Sequence, residues 1–90
     1  MAESRKTSIS VVIASLVGPP FIDDCIRSVE AEARLLSAEV IVVACGTAAY
    51  ADRIAKLFPS VTVVHCPERE TVLALRARGV EAAHGDIVAI

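Results

Sequence analysis

Four short runs of β-branched and small apolar residues recur along the chain, with helix-period segments between them. They are Ser8–Ser15 (SISVVIAS), Glu39–Ala44 (EVIVVA), Val61–Cys66 (VTVVHC) and Asp86–Ile90 (DIVAI). Each run reads as a strand, and Glu39–Ala44 in particular is too short for a helix and too continuously apolar for a half-exposed strand. Strands alternating with helices over short connections require parallel pairing with right-handed crossovers. The expected fold is α/β: a Rossmann-like, three-layer α/β/α arrangement with a mainly parallel four-stranded sheet in the order β-α-β-α-β-α-β.

The intervening segments supply the helices. Ile22, Cys25, Ile26, Val29 and Ala33 recur at helical spacing from Phe21 to about Leu36, with Asp23 and Asp24 expected on exposed first turns. Tyr50, Ile54, Leu57 and Phe58 mark a second helix that Pro59 stops. Pro67-Glu68 is expected to open a third helix, which carries Val72, Leu75, Gly79 and Ala82 on one side and ends near His84-Gly85.

Composition fits this pattern. The 90 residues are 54% hydrophobic but only 3% aromatic, so the apolar weight lies in Val, Ile, Leu and Ala. A chain of this length makes one domain at most, and a last strand without a successor leaves an apolar edge open to self-association. Residues 1–90 therefore read as an incomplete domain of a longer protein. A net charge of −2 without a basic stripe argues against a nucleic-acid partner. Cys25, Cys45 and Cys66 have no CxxC spacing and read as buried small hydrophobes in a reducing, cytoplasmic setting. Arg5 and Lys6 precede the apolar run Ile9–Val17, but β-branching and the Gly18-Pro19-Pro20 ending favour a strand over a signal peptide. No apolar stretch approaches the length that spans a bilayer.

In open parallel sheets, ligands bind beyond the carboxyl ends of the strands, near a reversal of strand order. Those ends are Ala14-Ser15-Leu16, Ala44-Cys45-Gly46-Thr47 and His65-Cys66. One glycine and two prolines in Leu16-Val17-Gly18-Pro19-Pro20 cannot make a GxGxxG turn, and no Gly-Lys-Ser/Thr is present for a phosphate loop.

The stretches SISVVIASLVGPPFIDDCIRSV, EVIVVACGT and ALRARGVEAAHGDIVAI, taken in order and spacing, resemble the opening of family 2 glycosyltransferases of the GT-A fold. The last stretch is similar to that family's Ala-Arg-Asn-x-Gly-x-x-x-Ala-x-Gly-Glu/Asp helix and strand. The resemblance covers nearly the whole chain and implies the truncated, nucleotide-sugar-binding half of such a domain. It implies transfer of a sugar from a nucleotide-diphosphate donor to an acceptor hydroxyl, usually with inversion, and Mg²⁺ or Mn²⁺ in the longer protein, which could be attached to the cytoplasmic side of a membrane. Donor contacts then fall on Ala14, Ser15, Leu16, Cys45 and Gly46, with Arg69 or Arg76 as the diphosphate partner. Ser15 reads equally as a cap and Leu16 as packing, while Arg76 reads also as a solvated arginine beside an acid. Ala44 and Cys45 stand where that family commonly has two aspartates, and a thiol is a poor hydrogen-bond acceptor. The resemblance places the metal motif and the catalytic base beyond Ile90, so no residue of this chain is assigned to catalysis or to metal.

Two other readings share the element order. One is a non-catalytic α/β nucleotide-binding or regulatory module. The other is a flavodoxin- or receiver-like domain, although a receiver needs acids at the first strand end, where Ser15, Leu16 and Val17 stand.

Overall fold

A computed structural model describes residues 8–15, 21–68 and 70–89, without the side chain of Phe21. The elements follow the alternating pattern: β1 (Ile9–Ser15), α1 (Phe21–Leu36), β2 (Glu39–Cys45), α2 (Ala48–Leu57), β3 (Thr62–Cys66), α3 (Val72–Ala82) and β4 (Ile87–Ala89). The strands form one sheet in the order β3-β2-β1-β4. All three pairings are parallel, with Ser15 opposite Ala44, Cys45 opposite Cys66, and Ile9 opposite Ile87. The expected parallel α/β architecture is the observed one.

Alternation along β2 divides the core into two layers. Val40, Val42 and Ala44 face one way and pack with Ile22 and Ile26 of α1 and with Ile54 of α2 and Phe58 beyond it. Ile41 and Val43 face the other way and pack with Val12, Cys66 and Leu75 of α3. The chain steps from β1 to β2 to β3 in one direction and then returns past both to β4. Right-handed crossovers therefore put α1 and α2 on one face and α3 on the other.

Hydroxyl caps set where two helices begin. Thr47 Oγ1 accepts from the Tyr50 amide at 3.1 Å, and Thr71 Oγ1 accepts from the Ala74 amide at 3.1 Å. The second cap corrects the sequence reading of α3. Pro67 and Glu68 lie in the connection from β3, and the helix starts after Thr71, whose side chain satisfies an amide that proline cannot. Helix α1 ends with the Ala38 amide on the Ala33 carbonyl at 2.8 Å and Ser37 at φ 53°, a left-handed closure of the Schellman type.

Candidate functional site

Both α1 and α2 start at the carboxyl edge of the sheet, because each follows a strand that ends there. The strand order reverses beside β1, which has β2 on one flank and β4 on the other. The carboxyl end of β1 is therefore the switch point at which open α/β sheets form a crevice. Ser15 occupies that end, buried, with its Oγ 2.5 Å from the Tyr50 hydroxyl. Tyr50 reaches it from the first turn of α2, where the Thr47 cap has fixed the start of the helix.

Gly46 closes the end of β2. Its φ of +144° is a conformation that side chains other than glycine rarely adopt. Its amide donates to the Cys66 carbonyl at 3.0 Å, and its own carbonyl lies 2.7 Å from His65 Nε2. The turn after β2 is thus tied on both sides to the end of β3.

One ion pair braces the two helices that flank this edge. Arg53 of α2 donates through both terminal nitrogens to Asp23 of α1, at 3.1 and 2.6 Å. The hydrogen bonds from Arg53 hold the Asp23 carboxyl below the usual carboxylate range, against the opposing effect of burial. Asp23 is buried, not on an exposed first turn, because its partner sits on the neighbouring helix; Asp24 is exposed as expected.

The other side of the sheet holds a different set. Ala14 and Cys45 pack against Val12, Cys66 and Leu75 beneath α3. The Cys45 thiol donates to the Glu68 carbonyl at 3.5 Å. Arg78 forms a two-point bond with Glu70 at 2.5 and 2.8 Å, which raises the guanidinium pKa and lowers that of the carboxyl. Arg76 is exposed and lies more than one helical turn beyond the Thr71 cap, set back from the edge. Leu16 and Arg69 fall outside the described residues.

The expected residues therefore divide. Ser15 and the Cys45-Gly46 turn come together at the edge, whereas Ala14 and the Cys45 side chain face the α3 layer and Arg76 stands apart. Tyr50 was legible only as part of a helical apolar face, and its hydroxyl contact with Ser15 joins residues far apart in sequence. Cys25 is exposed and Cys45 half-exposed, so only Cys66 of the three thiols is buried as expected. Among the described residues, no three His, Cys, Asp or Glu side chains gather closely enough to hold a metal ion. No helix among them is long and apolar enough to cross a membrane.

Comparison with known protein families gives a match over nearly the whole chain. The profile described as Glycosyl transferase family 2 covers residues 10–90, from the second residue of β1 through β4. No curated protein and no solved structure matches the chain significantly. With nearly its entire length matched, on a parallel α/β sheet whose strand ends converge beside a reversal of order, the chain belongs to glycosyl transferase family 2.

Proposed function

We propose that this chain is the donor-binding half of a glycosyltransferase, holding a nucleotide-diphosphate sugar across the carboxyl ends of β1 and β2. The observation that carries the reading is the convergence of Ser15 and the Cys45-Gly46 turn at the switch point of a family 2 sheet. The base and ribose rest against Ser15 and the Gly46 turn, whose hydroxyl and backbone groups are braced by Tyr50, Cys66 and His65. Cys45 offers only a weak acceptor, so the base is held without the carboxylate common at that position. The diphosphate falls to Arg69 or, reaching along its long side chain from farther back on α3, to Arg76, since Arg78 is already engaged by Glu70. The described residues do not fit a metal site, and the reading assigns Mg²⁺ or Mn²⁺ to groups outside this chain.

Titration of the labelled chain with UDP and with GDP, followed by NMR, tests this reading. Shifts are expected at Ser15, Cys45, Gly46 and Arg76; shifts confined to the opposite rim, around Ser10 and Glu39, would overturn it. With a nucleotide sugar and Mg²⁺ or Mn²⁺, the chain alone is expected to bind without transferring sugar, and measurable sugar release would contradict the second half of that expectation. A second reading, a nucleotide-binding module without transferase chemistry, is favoured by Ala44 and Cys45 at the end of β2. It shares the binding result and differs in predicting no transfer in the full-length protein.

A further inference from the structure

Cys45 and Cys66 are the last residues of β2 and β3, and they are register partners in the parallel pairing of those strands. Residues in register on parallel neighbours project from the same face, and both cysteines pack in the layer beneath α3. Neighbouring strands run about 4.8 Å apart. That spacing falls within the roughly 4.4–6.8 Å between Cα atoms that a disulfide spans. Both residues sit at strand ends, so closing the remaining gap between their Cβ atoms moves only the last pairing, in which the Gly46 amide donates to the Cys66 carbonyl at 3.0 Å. Cys25 lies on α1, across the sheet, and cannot reach either thiol.

The two thiols are unequal. Cys45 is half-exposed, its thiol in a long 3.5 Å contact with the Glu68 carbonyl, whereas Cys66 is 2% exposed. We propose that Cys45 is a thiol-modification site, reacting first with a low-molecular-weight disulfide such as oxidised glutathione, and that Cys66 resolves the adduct as an intramolecular Cys45–Cys66 disulfide. In the first step the Cys45 thiolate attacks one sulfur of oxidised glutathione, its S–S bond breaks, and one glutathione thiolate leaves. In the second, Cys66 gives its proton to solvent and its sulfur attacks Cys45 Sγ, releasing the second glutathione. Two cysteine thiols are oxidised and one glutathione disulfide is reduced to two thiols. Burial pushes the Cys66 thiol pKa up, which fits its place as the later, slower partner. The link would draw Cys45 Sγ off the Glu68 carbonyl and pin the ends of β2 and β3 on either side of Gly46.

The full chain carrying Cys25→Ser, which removes the exposed third thiol, is incubated with oxidised glutathione and mapped by mass spectrometry of its peptides. The expected product has lost two hydrogens, carries a Cys45–Cys66 crosslink and returns to the free thiols with dithiothreitol. Cys66→Ala in the same background is expected to trap the glutathione adduct on Cys45, and Cys45→Ser, at the more exposed position, to leave Cys66 unmodified. A stable glutathione adduct on Cys45 with Cys66 still free would overturn the proposal. So would an unreactive Cys45, or a chain in which Cys66 reacts as readily after Cys45→Ser. None of these outcomes depends on whether a nucleotide binds.

Discussion

Glu39 shows how much one side chain can hold at the rim opposite the candidate site. Its Oε1 accepts from Ser10 Oγ at 2.7 Å and from the His84 amide at 2.8 Å, and its Oε2 lies 2.9 Å from His84 Nδ1. Ser10 Oγ in turn accepts from the Gly85 amide at 2.8 Å, so one carboxylate and one hydroxyl tie the entry of β4 to β1 and β2. The His84 and Ser10 hydrogen bonds favour the charged form and lower the Glu39 pKa from 4.5 to about 2. A depressed carboxylate stabilises the fold fully above its unfolded pKa, and the gain is lost as pH falls towards the folded value. Wild type is therefore expected to exceed Glu39→Gln in urea stability at pH 6, with the gap narrowing between about pH 4.5 and pH 2. A gap that stays constant across that window would show that the charge is not what Glu39 contributes. In the sequence Glu39 is only the polar start of an apolar run, because its partners lie on β1 and in the loop before β4.

Among the elements, α3 is where local signals and packing diverge most. Proline and acid at 67–68 look like a helix start, yet the chain needs that stretch to leave β3 and cross to the other face before Thr71 can cap. Further along, Gly79 lets α3 sit directly on the sheet. A Cβ there would overlap the Val12 Cγ1 methyl and lie 3.1 Å from Val43 Cγ2. Alanine is the better helix former by about 1 kcal/mol. Overpacking of a tight core contact costs roughly 1–3 kcal/mol, and a direct overlap with a short β-branched side chain belongs at the upper end. Gly79→Ala is accordingly expected to destabilise the chain by about 1–2 kcal/mol net in urea unfolding. Val12→Ala in the same background should recover part of that loss; an additive double variant would place the strain elsewhere. The helical spacing located Leu75, Gly79 and Ala82 on the side of α3 that meets the sheet, whereas Val72, expected with them, is 38% exposed at the start of the helix; the spacing could not reveal that the glycine marks the closest approach.

For the molecule as a whole, one edge of the sheet lies exposed at β4. β4 is three residues long, ends the strand order, and leaves Ile87 53% exposed. On the α1 side the neighbouring surface continues as an apolar groove lined by Ile9, Val11, Val29, Ala33 and Leu36. Unpaired edge groups beside exposed apolar surface favour pairing with another copy. Sedimentation is expected to show concentration-dependent self-association that Ile87→Lys suppresses. A chain that stays monomeric at high concentration would remove the edge as an interaction site.

Fold class was legible because it rests on periodicity. Runs such as EVIVVA can satisfy both faces only inside a parallel sheet, and the helical spacing from Ile22 to Ala33 leaves no other partner for them. The candidate site was legible only as a row of strand ends, Ser15 and Cys45-Gly46, since β-α-β connectivity places those ends on one rim whatever the side chains. Which neighbours they acquire is a different matter. Tyr50 on Ser15, Arg53 on Asp23 and Cys66 beside Cys45 each join residues whose separation in sequence carries no period. Hydrogen bonds, charge pairs and thiol proximity act over a few ångströms, and those distances exist only after crossover direction and strand register have brought separate elements into contact.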